Sequence, residues 1–267
     1  MGNSSSAEEV ADKGTGEPVK GLPTTHRTHP DLTPAENLSL EATLRRLSPS
    51  EPSSSHLLDR EIFIRHLDLQ SYSNFALALY NSIENGHEVS WNRFQELFVD
   101  IIRSNNVNPL RIIQSILLAD TSLQGMRTKT FFLLLLEFAH SDYSSFVEIA
   151  TRLAEYCRDP FESPAFIQFV AAHLPLASQA ITSFFHTKFC PDVRCPKPFH
   201  LPLLETGSSI VNHPCELFPL CLVTTSLQGR WVQLYSSDSH GFSFNRVAHH
   251  ILGYHVSIAI TTTTIIQ

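Results

Sequence analysis

Between Leu234 and Asn245 the sequence reads LYSSDSHGFSFN. Ser236, Ser237, Asp238, Ser239 and His240 are the residue types of a serine hydrolase, gathered in one run. A serine nucleophile needs a base within hydrogen-bond reach, a third group that orients the base, and donors for the oxyanion. The catalytic arrangement to be weighed is Ser236 or Ser237 with His240. Two features count against it. Neighbours on one turn point in divergent directions, whereas triads are assembled from separated segments. The elbow G-x-S-x-G also fails, because GFSFN places Asn245 where the second glycine belongs. No Gly-rich phosphate loop, HExxH helix or dinucleotide fingerprint occurs elsewhere. The simpler reading is a polar turn. Its Ser and Asp side chains cap backbone groups, and Gly241 is free to take positive φ.

The flanking elements must hold that corner in place. RWVQLYSS alternates and is rich in Trp, Val and Tyr, which predicts a strand. Ser243 is placed to cap a helix over FNRVAHHIL, with Phe244, Val247 and Ile251 on its buried face and His249 and His250 on its polar face. Upstream, ELFPLCLV predicts a short amphipathic helix, and the proline-rich stretch Phe189 to Gly207 a linker. Within and beside that stretch, His186, Cys190, Cys195 and His200 raise the possibility of zinc. The C-x₄-C spacing lacks a second cysteine pair, so the signal is weak.

Before this corner the punctuation is helical. Thr33, Pro34 and Glu36 form a capping box with proline at the first helical position, followed by Leu40, Leu44 and Leu47. Asn108 and Pro109, Ser145 and Glu148, Ser163 and Pro164, and Pro175 mark further starts. FFLLLLEF, Phe131 to Phe138, is far short of the roughly 20 residues that span a bilayer and predicts a buried helix. NSIENGHEVSWNRFQELF looks like the second half of an EF-hand, with a helix starting near Trp91. With Gly86 at the sixth loop position, Asn81, Ile83 and Asn85 take the first, third and fifth, and Asn92 the twelfth. Ile83 has no side-chain oxygen and Asn92 no bidentate carboxylate, so calcium binding is not expected and helix–turn–helix packing is.

The totals fit this layout. Of 267 residues, 42% are hydrophobic and 17% charged, enough for a real core. The formal net charge of −7 gives no basic surface for nucleic acid. The five cysteines are odd in number and no secretory signal is read at the start, so reduced thiols are expected. Residues 1–32 are rich in Ser, Thr, Gly and Pro and are expected to be disordered. They open on MGNSSS, which matches M-G-x-x-x-[ST] and marks Gly2 for N-myristoylation. One acyl chain binds membrane with K on the order of 10⁴ M⁻¹, so stable residence needs a second contact.

WVQLYSSDSHGFSFNRVAHHI, with LFPLCLV ahead of it, resembles the opening of a TLDc domain. The matching residues are Leu220, Trp231, Leu234, Tyr235, Ser236, Ser237, His240, Gly241, Ser243 and Phe244. The resemblance covers about Ile210 to Tyr254. A myristoylation signal, a degenerate EF-hand-like region and then a TLDc domain is also the layout of N-myristoylated members of that family. The resemblance implies a non-catalytic, partner-binding protein with no cofactor, peripheral on a cytoplasmic membrane face such as the lysosome or vacuole. Its implied partners are mTOR signalling complexes or the vacuolar proton pump, with a link to oxidative-stress resistance. The expected fold is mainly α: an EF-hand-like all-helical domain over 33–187, a linker over 188–207, and an incomplete α+β TLDc domain over 208–267. That last part is the strand–turn–helix start of a β-sandwich. After Tyr254 the family pattern gives way to HVSIAITTTTIIQ, so a C-terminally truncated form is expected.

Overall fold

A computed structural model describes residues 28–48, 57–84, 89–139, 146–200, 203–204, 218–234, 236–241, 243, 245–246 and 249. The described chain is mainly helical. Helix α1 (Pro34–Arg46) starts as its sequence dictates. The Thr33 hydroxyl accepts the Glu36 N–H at 3.2 Å, and the Glu36 carboxylate accepts the Thr33 N–H at 2.8 Å. Asp59 caps α2 (Arg60–Leu67) by accepting the Ile62 N–H at 2.9 Å. Its C-cap, Asp68, takes the left-handed conformation at φ 44°, which Asp tolerates better than most residues. Helix α3 (Phe75–Glu84) and α4 (Trp91–Arg103) follow, with Ser90 capping α4.

These four helices form two helix–loop–helix units joined through their loops. Leu57 and Ser90 make an antiparallel bridge, and the Leu58 N–H donates to the Val89 carbonyl at 2.8 Å. The Tyr80 hydroxyl donates to the Leu58 carbonyl at 2.8 Å and accepts the Val89 N–H at 3.4 Å. The Trp91 indole N–H reaches across to the Ser48 hydroxyl at 2.8 Å. One buried tyrosine thus satisfies backbone groups of both loops, which would otherwise be costly inside the protein.

The second half comprises α5 (Asn108–Ala119), a 3₁₀ turn at Thr121–Leu123, α6 (Arg127–Ala139), α7 (Phe146–Tyr156), α8 (Pro164–His173) and α9 (Ala177–Phe189). Every residue from Thr130 to Phe138 of α6 is buried, as a helix apolar all round must be. Helix α9 touches α1, α4, α5, α6 and α8 and ties the two halves together. Phe63, Phe94, Phe98, Phe185 and Phe189 meet around it at ring separations of 4.6–6.3 Å. A second aromatic group, Phe131, Phe132, Phe161 and Phe166, lies between α6 and α8. Among the described residues no single helix is long and apolar enough to cross a membrane.

Several expectations shift. Helix α5 opens at Asn108 and Pro109 as expected, and Asn105 accepts the N–H groups of Val107 and Asn108 ahead of it, each at 3.1 Å. Pro175 does not open α9. Leu174 closes α8 through its bond to the Val170 carbonyl, and the chain turns by 90° before α9 begins at Ala177. Ser145 lies outside the described residues, as does Gly86. At the other end, Leu32 is buried, and the Asn37 side chain holds the carbonyls of His29 and Leu32 at 3.2 and 3.1 Å. The last residues of the expected disordered segment 1–32 therefore belong to the helical domain.

The expected linker also packs against that domain. The Gln179 amide donates to the Pro198 carbonyl at 3.0 Å, and the Phe199 N–H donates to the Ser183 hydroxyl at 3.0 Å. Its prolines exclude a helix but do not prevent burial, and Phe199 joins the core. Beyond it lie β1 (Leu203–Leu204), α10 (Phe218–Cys221), a 3₁₀ turn at Thr225–Leu227, β2 (Arg230–Trp231) and α11 (Ser237–His240). Strand β2 pairs in parallel with β1, Leu203 opposite Arg230 and Leu204 opposite Trp231. The Leu176 N–H donates to the Leu222 carbonyl at 2.8 Å and joins this unit to the α8–α9 corner. Among the described residues the strand expected over RWVQLYSS is confined to its first two. The turn expected over SDSHG is a single turn of helix.

Candidate functional site

The corner from Trp231 to Gly241 is built from backbone capping. Trp231 is half-buried at the end of β2, and its indole N–H donates to the Leu227 carbonyl at 2.9 Å. Leu234 is half-buried beyond it. At α11 the His240 N–H donates to the Ser236 carbonyl at 2.8 Å, and the Ser236 N–H donates to Nδ1 of His240 at 3.0 Å. His240 therefore caps the N-terminus of its own short helix. Histidine does here what Ser and Asp were expected to do. Nδ1 must carry a lone pair to accept that bond, which places a proton of the neutral ring on Nε2. Gly241 follows at φ +73°, and the Arg246 guanidinium folds back to donate to the His240 carbonyl at 2.5 Å. A side chain at this φ would be strained, so glycine is needed for its conformation.

Ser237 opens α11 through its backbone, and Ser243 is exposed. Asn245, Arg246 and His249 are helical and exposed, as a polar helix face requires. Tyr235, Phe244 and Gly2 lie outside the described residues, as do Val247, His250 and Ile251. The structure thus brings Ser236 and His240 together, but through the serine backbone rather than its hydroxyl. Around the corner, Leu203, Leu220, Val223 and Val232 are exposed apolar side chains on the same small unit.

A second polar centre was not evident in the sequence. Glu36, Arg103 and His186 converge where α1, α4 and α9 meet, and both Glu36 and His186 are 1% exposed. One Glu36 oxygen accepts the Thr33 N–H and hydroxyl, each at 2.8 Å, and pairs with Arg103. The other oxygen lies 3.2 Å from Nε2 of His186. The Arg103 Nε–H also holds the Asp31 carbonyl at 3.1 Å. Burial alone would raise the Glu36 pKa. The two Thr33 bonds, the Arg103 charge and the His186 bond together bring it below its ordinary value. The Cys190 thiol sits 3.6 Å from the Glu36 carbonyl, and burial followed by the Glu36 charge pushes its pKa up to about 12. Glu36 was legible as a cap, but its other partners lie 67 and 150 residues away.

The zinc candidates do not converge. His186 and Cys190 are engaged at Glu36, Cys195 is half-exposed and His200 is exposed. Among the described residues no three His, Cys, Asp or Glu side chains are placed to hold a metal ion. The calcium register also meets an obstacle, because Asn81 and Ile83 belong to α3 and Asn92 to α4. No family model matches the chain, and no curated protein matches it.

Proposed function

We propose that the chain is a non-catalytic adaptor of the TLDc type, myristoylated at Gly2, that binds proteins at the cytoplasmic face of a membrane such as the lysosome or vacuole. In this reading α1–α4 are a degenerate EF-hand pair, and the unit from residue 208 onward is the opening of a TLDc domain. The partners are of the mTOR-complex or vacuolar proton pump class, with a role in oxidative-stress resistance. The observation that carries the reading is the corner itself. Its histidine is committed to the Ser236 backbone, and apolar Leu220, Val223 and Val232 stand exposed beside it. Exposed apolar groups rimmed by polar ones suit protein docking rather than acyl transfer. The loop bridge at Leu57 and Ser90 supports the EF-hand-like part, since paired loops are what two such units share.

The test is direct binding of the purified full chain to purified proton pump and to mTOR complexes. Binding to one of them is expected, with at least about a tenfold loss in Leu220→Glu/Val232→Glu, by the usual weight of an apolar anchor. Binding to neither, or binding indifferent to those changes, would remove the adaptor reading.

A further inference from the structure

Outside the corner and the Glu36 centre, one cavity gathers cations. It has a volume of about 230 Å³ and lies between the last turns of α1 and α2, lined by Thr43, Arg46, Leu47, Ile62, Arg65 and His66. Among the described residues no carboxylate lines it. Arg46 bonds the Thr43 hydroxyl at 3.0 Å, and Arg65 makes no ion pair or hydrogen bond among the described residues. The His66 Nε2–H donates to the Lys188 carbonyl, 2.9 Å away, which brings the end of α9 to the same place. Burial, and then the Lys188 and Arg46 charges, hold the His66 pKa below its ordinary value against the pull of the Lys188 carbonyl.

Basic residues in a last helical turn often serve only the helix dipole, which amounts to roughly half a unit charge per terminus. Here two arginines share one cavity, so positive charge exceeds what their own helix ends neutralise. The chain as a whole carries a formal charge of −7, which makes this local excess of opposite sign the more specific. Guanidinium groups offer forked donors that match phosphate oxygens. Leu47 and Ile62 give an apolar wall. The volume falls below the roughly 300–1,000 Å³ of pockets that hold drug-sized ligands, which favours one phosphate on a small carrier over a nucleotide.

We propose that this cleft binds a phosphomonoester group, free or carried on a lipid headgroup. The site is independent of Gly2 and of the corner, so its failure and that of the adaptor reading are separable. The probes are glycerol phosphate by calorimetry, and phosphatidylcholine vesicles with and without phosphatidylinositol phosphate by sedimentation, all with the unacylated full chain. Saturable binding of glycerol phosphate is expected, weakened at least about tenfold in Arg46→Gln/Arg65→Gln, as for loss of charge-assisted bonds. The charge-matched Arg93→Gln/Arg152→Gln, on exposed faces of α4 and α7, should retain affinity. Circular dichroism and unfolding midpoint check that each variant is folded. Phosphoinositide-dependent vesicle binding that glycerol phosphate competes away would assign the headgroup as ligand; binding of the soluble probe alone would assign a free phosphomonoester. No saturable binding of either probe, or equal loss in both double variants, would overturn the site.

Discussion

At Glu36 a single carboxylate serves as helix cap, ion-pair partner and histidine acceptor. Replacing it with glutamine leaves Arg103 and His186 facing a neutral group inside the protein. Glu36→Gln should cost about 3 kcal/mol by urea unfolding at neutral pH, the lower end for breaking a buried pair, since Arg103 is partly exposed. Its pH dependence has a definite sign. The folded pKa lies below the ordinary value of 4.5, so the carboxylate's contribution is full above that value and is lost as pH falls through the folded one. The wild-type minus Glu36→Gln stability difference should therefore shrink only below about pH 4.5; a difference that grows on acidification would contradict the pairing. Thiol chemistry offers a second check. Burial pushes Cys190 to about 12 and Cys221 to about 11, whereas Cys195 is half-exposed. Iodoacetamide mapping of the folded chain should modify Cys195 well before either, because the thiolate is the reactive form. His240→Ala should speed hydrogen exchange at the Ser236 amide, and a fluorophosphonate probe should label neither form. Labelling that depends on His240 would instead favour the hydrolase.

Elements were legible where local chemistry specifies them. Thr33, Pro34 and Glu36 announce α1, and Ser163 and Pro164 announce α8, because a cap and its targets lie within a few residues. The apolar run of α6 declares its burial for the same reason. What depends on distant partners was hidden. Strand β2 pairs with β1, 27 residues away, and Leu176 bonds Leu222 just ahead of α9. In the corner, proximity of Ser236 and His240 was visible, but not that the imidazole would cap the helix. Tyr80 carries the corresponding lesson for the loops. Tyr80→Phe leaves the Leu58 carbonyl and Val89 N–H buried without their hydroxyl partner. It should cost about 1–3 kcal/mol. Native-state exchange at Leu58 should speed up by more than at amides of α6; uniform acceleration would mean that the hydroxyl does not secure the loop bridge.

For the whole molecule, the described part of the unit after β1 meets the helical domain at Leu176 with Leu222 and through the buried Cys221. The acyl group proposed at Gly2 would bring the chain to a membrane, and one such chain alone binds weakly, on the order of 10⁴ M⁻¹. The partner docking proposed at the corner and the headgroup proposed for the α1–α2 cleft would each supply a second contact. The most direct measurement is membrane partition of the full chain in cells against Gly2→Ala, with intact mass reporting the acyl group. An acylated wild-type chain in the membrane fraction and a soluble Gly2→Ala chain are expected. An unmodified wild type, or a variant that partitions unchanged, would contradict the proposed anchoring.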